Sequence, residues 1–255
     1  MSFQHIKTDQ EKGLARITLA RPKHNVLNIE MMKELTAALS SCVTDSDLKC
    51  VVLSGEGPSW CAGVDVGEHR PEVVGEMMSA FNGIFEIMGK IEVPLIAAVH
   101  GPCLGGGMEL AIACDIIVAS TKATFGQPEI RLGFFPPYAA IRLPQLVGTA
   151  RTIEICTTGK SYSADEAKAM GLISQIAGEE AFGGAVESVV GSLLLSSPLI
   201  IRLNKQAVKR HIGMDFPQAL AGVTDLFLNR LMKTEDTLEG INSFGEKRKP
   251  DWKNR

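Results

Sequence analysis

Two carboxylates set in apolar surroundings are the first residues in this sequence that could do chemistry. Glu109 lies in GPCLGGGMELAIACD, residues 101–115, behind Gly105, Gly106 and Gly107 and among Met108, Leu110, Ala111, Ile112 and Ala113. Glu129 lies between Pro128 and Ile130 in FGQPEIRLGFF, residues 125–135. Burial disfavours the charged form of a carboxyl group, so an acid in such a setting is tuned towards neutral pH, where it can both take and return a proton. The glycines add a second capability. Backbone N–H groups at the start of a helix lack intrahelical acceptors and sit at the positive end of its dipole, so a glycine-led helix start can hold a developing oxyanion. A second donor of this kind is offered by GPSWCAGVDVGEHRP, residues 57–71, a loop in which backbone rather than side chains can meet a ligand.

Each feature also has a purely structural reading. Three glycines serve close helix packing equally well, Glu109 fits a buried ion pair or a cap, and Glu129 fits a salt bridge to Arg131 or a surface turn. Of the other polar residues, Asp115 reads as the end of a helix and Asp65 as a loop carboxylate bonded to its own backbone. Glu68 and His69 are further polar candidates, whereas His24, His100 and His211 have no partners by spacing and read as structural. The sequence has no P-loop, no GxGxxG and no Ser-His-Asp order, which disfavours nicotinamide chemistry. Cysteines 42, 50, 61, 103, 114 and 156 show neither a CxxC pair nor metal-ligand spacing, so reduced thiols and no metal are expected.

The elements that must position these groups alternate. Residues 3–9 and 14–20 read as a hairpin about a charged EKG turn. Asn28 caps an amphipathic helix marked by Ile29, Met32, Leu35, Leu39 and Cys42. Strands are predicted at 50–55, 94–101, 115–120 and 123–126, with helices over 72–90 and from the glycine cluster onwards. Residues 137–246 read as almost entirely helical, with GLISQIA, residues 171–177, the one strand-like exception. No linker or internal repeat divides the chain, so the expected architecture is α/β with a helical C-terminal region free to pack on a neighbouring subunit.

Bulk composition narrows the partners. The chain has 255 residues, 45% hydrophobic and 22% charged, as in a soluble globular protein. Its N-terminus lacks the basic-then-apolar pattern of a signal peptide, and the apolar run over 94–119 is interrupted by His100, Glu109 and Asp115. A cytoplasmic protein without a membrane partner is expected. With 26 basic and 29 acidic residues the formal net charge is −3, so a nucleic acid is not expected as a main partner.

Five segments in order, WCAGVD, GPCLGGGMELAIACDIIVAS, FGQPEIRLGFFP, GKSYSADEAKAMGLI and FGEKRKPDW, make the whole chain resemble the crotonase superfamily, the enoyl-CoA hydratases and isomerases. The resemblance implies a crotonase (ClpP/crotonase-like) fold: a spiral of β-β-α units over 1–195, with a helical trimerisation region over 196–255. It further implies a homotrimer or a homohexamer built as a dimer of trimers, and an acyl-CoA thioester substrate with no separate cofactor. By the same resemblance the backbone N–H groups of Ala62 and Gly106 match an oxyanion hole, and Glu109 and Glu129 match two hydratase glutamates. Coenzyme A contacts are then expected from Lys23, from Ala62, Gly63, Val64, Asp65 and Val66, and from Phe244 and Lys247, with Phe244 reaching a neighbouring subunit.

Two departures refine the expectation. RPKHNVL is one residue shorter than the usual RPxxxNAL, and PPYAA at 136–140 stands where hydratases commonly have PGAGG. Together with GEHRP and EKRKPDWKNR, these resemble the cyclohexa-1,5-diene-1-carbonyl-CoA hydratases of anaerobic benzoyl-CoA degradation. A general short-chain enoyl-CoA hydratase and an enoyl-CoA isomerase are the alternatives within the family. The paired glutamates argue against an isomerase, and with the negative charge they argue against a non-catalytic scaffold or RNA-binding protein.

Overall fold

The computed structural model describes residues 3–255. The hairpin forms as expected, β1 (Ile6–Glu11) pairing antiparallel with β2 (Leu14–Leu19) in the register Ile6 to Leu19. Helix α1 (Ile29–Thr44) starts at Asn28, whose side chain accepts the Met31 N–H at 3.1 Å, and it buries Met31, Met32, Leu35 and Leu39. There follow β3 (Cys50–Gly55), a 3-10 turn (Val66–His69), α2 (Val74–Lys90), β4 (Leu95–Val99), β5 (Pro102–Leu104), α3 (Gly106–Ala113), β6 (Ile116–Ser120) and β7 (Thr124–Gly126). Beyond a second 3-10 turn (Pro128–Leu132) lie α4 (Pro137–Val147), α5 (Thr149–Thr158), β8 (Ser161–Ser163), α6 (Ala164–Ala169), β9 (Gln175–Ala177) and α7 (Glu179–Leu194). The C-terminal helices are α8 (Pro198–Lys209), α9 (Phe216–Asn229) and α10 (Glu235–Gly245).

Two sheets share these strands. One has the order β1-β2-β3-β4-β6-β9 and is parallel beyond the first hairpin; the other has the order β5-β7-β8. From β4 to β7 successive strands fall in alternate sheets, so the chain winds between them as a spiral. The large sheet is covered on both faces, which is why its inner strands are near-continuous apolar runs. Along β3 the alternation is plain: Val51 and Leu53 face the main core, while Cys50 and Val52 face Val186 and Val190 of α7. Helix α3, apolar at every position but Glu109, is buried along its whole length.

Two expectations need correction. Residues 161–163 are not helical: β8 pairs antiparallel with β7 and buries only Tyr162, too short a pattern for a period-2 signal. The strand expected over 171–177 shrinks to Gln175–Ala177. Among the described residues no helix is long and apolar enough on its own to cross a membrane.

Asp115 does more than follow a helix. Its carboxylate accepts the Leu95 N–H at 2.9 Å and pairs with Lys205 at 2.6 Å and Lys209 at 2.7 Å, tying α8 to the mouth of β4. Burial pushes its carboxyl group up, but the two lysines outweigh this and hold it below its ordinary value. The Lys205 side chain is only 9% exposed, so removing its partner strands a buried cation. Asp115→Ala is expected to cost about 3 kcal/mol at pH 7, read by urea denaturation. Because the folded-state pKa is depressed, the wild-type advantage is present above the ordinary carboxylate range and should vanish as the pH falls below about 4.

Candidate active site

The loop carrying Ala62 to Val66 is placed by a buried asparagine. Asn25, 1% exposed and in the left-handed region at φ 51°, donates its side-chain NH2 to the carbonyls of Glu56, Ser59 and Trp60 at 2.8, 2.9 and 3.1 Å. Its oxygen accepts the Arg21 N–H at 3.0 Å, so residues 21–27 lie fastened along residues 56–65. Leu27 and Val64 form an isolated parallel bridge: the Leu27 N–H donates to the Gly63 carbonyl, and the Asp65 N–H to the Leu27 carbonyl, both at 2.8 Å. The Val64 N–H therefore faces away from Leu27 and has no acceptor among the described residues, and Val64 lines a cavity.

This corrects the expectation for Ala62. Its N–H donates to the His24 carbonyl at 3.0 Å and is not available to a ligand. The free amide of the loop belongs to Val64. Gly106 opens α3, so its N–H has no intrahelical acceptor.

All three glycines make room for a neighbour. A Cβ on Gly105, which has φ +53°, would lie 2.6 Å from Glu129 Oε1; one on Gly106 would lie 2.6 Å from Val64 Cγ2; one on Gly107 would strike the Cys61 carbonyl. Only bare backbone lets the Val64 loop, the α3 N-terminus and Glu129 meet.

They meet at a cavity of about 430 Å³, lined also by Val74, Met77, Met78 and Phe81 of α2 and by Leu132, Phe134 and Phe135. No lysine or arginine lines it. Glu109 is 2% exposed, and burial pushes its carboxyl up to about 7; the nearby Glu129 adds to this, while the amides of Ala139 and Tyr138 work against it. The Ala139 N–H donates to Glu109 Oε1 at 2.8 Å. Burial pushes Glu129 up to about 7 as well. The side-chain amide of the fully buried Gln127 lies 3.1 Å from both Glu129 oxygens, and only with its nitrogen assigned to that side does it donate to them. Neither glutamate has a salt-bridge partner among the described residues, so the pairing of Glu129 with Arg131 does not form. His69 donates through Nδ1 to the Asp65 carbonyl at 2.9 Å, and its ring stacks on Phe134 at 4.8 Å.

Of the residues singled out from the sequence, Ala62, Gly63, Val64, Val66, Gly106, Glu109 and Glu129 line one cavity. Asp65 does not; its carboxylate accepts the Gly67 N–H at 2.9 Å, the loop-fixing role expected of it. Lys23, Phe244 and Lys247 also lie outside the lining, Phe244 being 88% exposed near the end of α10. Gln127, the Ala139 amide and the apolar face of α2 complete the site, although the sequence does not single them out as candidates. Of these only Gln127 carried a signal, as a polar residue two positions before Glu129.

The arrangement offers two residues with unpaired amides, Val64 and Gly106, lining one apolar cavity together with two acids that burial pushes up to about 7. Residues 9–255 match the enoyl-CoA hydratase/isomerase family. The chain belongs to that family. It is 34% identical over 247 residues to the cyclohexa-1,5-dienecarbonyl-CoA hydratase of Thauera aromatica, covering 97% of this chain and 95% of that one. It is 33% identical over 262 residues to the short-chain-enoyl-CoA hydratase of Clostridium acetobutylicum, covering 100% of both. Among solved structures, an enoyl-CoA hydratase from Bacillus anthracis superimposes with a TM-score of 0.94 at 30% identity, covering 99% of this chain and 100% of that one. The spiral is thus the crotonase fold.

The raised carboxyl groups have a consequence for stability. A pKa raised in the folded state favours folding below the unfolded value near 4.5, and that contribution is lost as the pH rises through about 7. Glu109→Gln removes the buried charge and should stabilise the protein by about 3 kcal/mol at pH 8, an advantage that disappears at pH 4.5. Urea denaturation at the two pH values measures it; an equal effect at both would mean that Glu109 does not titrate in this range.

Proposed function

We propose that this member of the enoyl-CoA hydratase/isomerase family adds water to a conjugated enoyl or dienoyl thioester of coenzyme A, with Glu109 and Glu129 as its acid/base pair. The observation that carries the reading is the convergence of two buried acids, both pushed up to about 7, on a cavity that also receives the unpaired amides of Val64 and Gly106. The thioester oxygen accepts from these two amides, which stabilise charge as it builds; losing one such donor costs roughly 3 kcal/mol of barrier. A water held between the carboxylates gives a proton to one of them as its oxygen bonds to the β-carbon. The π electrons move onto the thioester oxygen, and a proton returned to carbon completes the addition.

Within that class we favour cyclohexa-1,5-diene-1-carbonyl-CoA, yielding 6-hydroxycyclohex-1-ene-1-carbonyl-CoA in benzoyl-CoA degradation. Support comes from the likeness to the Thauera aromatica hydratase and from the PPYAA segment beside Glu109. The oxygen then bonds to the β-carbon and the proton goes to the far carbon of the second double bond, a 1,4-addition that leaves one double bond conjugated to the thioester. The likeness to the Clostridium acetobutylicum enzyme favours a second reading, a general short-chain enoyl-CoA hydratase.

Backbone at Gly63 to Val66, with Lys23 and Lys247, is proposed to hold coenzyme A, with Phe244 reaching the site of a neighbouring subunit in a trimer or a hexamer. Exposed Leu220, Phe227, Leu238, Ile241 and Phe244 on α9 and α10 suit that association.

The purified protein is expected to convert the cyclic dienoyl thioester to a product heavier by one water, and to prefer it to crotonyl-CoA and cyclohex-1-ene-1-carbonyl-CoA. Mass spectrometry and relative kcat/KM values check this. A product of unchanged mass would indicate an isomerase, and a clear preference for crotonyl-CoA the general hydratase. Glu109→Gln and Glu129→Gln should each lower kcat by about 10² to 10⁴-fold while thioester binding persists.

A further inference from the structure

Behind the cavity wall lies an aromatic stack that the hydration chemistry does not itself use. The ring of Tyr138, second residue of α4, lies parallel to Phe85 of α2, with centroids 3.8 Å apart and planes 9° apart. Phe85 meets Phe81 edge to face at 4.8 Å, and Phe81 lines the cavity. The residue after Tyr138 is Ala139, fully buried, whose N–H holds Glu109 Oε1 at 2.8 Å.

The start of α4 has no other cap. It is preceded by Pro136 with no side-chain cap hydrogen bond, and Pro137 at its first position contributes no N–H. Glu109, reaching across from α3, is therefore the acceptor that satisfies this helix start, and the helix start is what orients Glu109. Two prolines stiffen the approach, but lateral placement of the first turn falls to the side chains that anchor it. Tyr138 is the large one.

We propose that Tyr138 is a positioning residue for Glu109: its stacking on Phe85 fixes the first turn of α4 so that the Ala139 N–H stays on the carboxylate. The hydroxyl is not required, since the contact is made by the ring faces. One packed unit, Phe81–Phe85–Tyr138, thereby joins the wall that receives the acyl group to the turn that holds the acid.

The direction of the effect follows from the bond. The amide favours the charged carboxylate and opposes the upward push of burial and of Glu129. The other titratable groups facing Glu109 are the Cys156 thiol of α5 and the Tyr138 phenol itself. Loosening the turn weakens the amide contact, so the Glu109 pKa rises and the carboxylate form requires a higher pH.

The test compares Tyr138→Ala, Tyr138→Phe and Phe85→Leu with the wild type. The direct readout is titration of the Glu109 carboxyl by NMR in protein labelled at the glutamate carboxyl carbon, assigned by its loss in Glu109→Gln. Tyr138→Ala is expected to raise the midpoint by about half a pH unit or more, Phe85→Leu to shift it the same way, and Tyr138→Phe to leave it in place. The acid limb of kcat/KM should move with it, with kcat down about tenfold and KM within about twofold. If Tyr138→Ala does not fold, Phe85→Leu carries the same comparison. A Glu109 midpoint unchanged in the folded Ala and Leu variants overturns the proposal, as does Tyr138→Phe behaving like Tyr138→Ala. The kinetic arm rests on the hydratase reading and the titration does not, so a wild type that hydrates no thioester would refute that reading while the NMR midpoints still decide the role of Tyr138.

Discussion

Two acids share an apolar cavity in which, among the described residues, neither has a lysine or arginine partner, and the rest of the site is arranged around that constraint. A buried carboxylate needs hydrogen-bond donors or a positive partner, or else it holds its proton. This protein shows both solutions at the two ends of one short helix. Asp115, just past the end of α3, is met by two lysines and held below its ordinary pKa. Glu109, in the first turn of α3, is met by backbone amides alone and sits near 7. The first arrangement fixes a charge for structure. The second leaves a proton exchangeable at neutral pH, which is the state acid/base chemistry requires.

With no lysine or arginine among the described lining residues, the polar groups left to the cavity are largely backbone, and backbone can act only if it approaches closely. Gly105, Gly106 and Gly107 allow that approach, because each faces a neighbour within the radius of a methyl group. The opposite loop is placed without bulk by Asn25, whose one amide group gathers three carbonyls. Leu27 then takes the Gly63 carbonyl and the Asp65 amide on one side and leaves the Val64 amide on the other. The unpaired donors arise here as the remainder of a hydrogen-bonding pattern, the amides that the fold leaves unused.

This explains which parts of the site were legible in the sequence. Asn28 as a cap, the apolar spacing of α1 and the alternation in the hairpin are local patterns, and the structure forms them as read. The glycine cluster and the two glutamates also carried local signals, since a charged residue in an apolar run and a side-chain-free backbone are visible one by one. Which amide of CAGVD is free was not legible. It is decided by His24 and Leu27, some forty residues earlier, whose carbonyls take the amides of Ala62 and Asp65. The contact of Ala139 with Glu109 spans thirty residues and involves a backbone atom, so no residue type announces it. Strand β8 was missed for the opposite reason: its pairing with β7 supplies what its three residues lack as a pattern.

The same division bears on how such a site acquires a particular acyl group. The unpaired amides and the two acids lie on the α3 N-terminus, the Val64 loop and the turn after β7, all fixed by close backbone contacts that tolerate little change in volume. The walls come from elsewhere, from Val74 to Phe81 on α2 and from Leu132 to Pro137 before and at the start of α4, and they contribute mainly apolar surface. Side chains there can change size without disturbing the amides. They are not wholly free, however, because Phe81 packs on Phe85 and Phe85 on Tyr138, next to the amide that holds Glu109. A side chain of another size at Phe81 therefore meets the same packed rings that adjoin the amide on Glu109, so the cavity wall and the setting of the acid share one set of contacts.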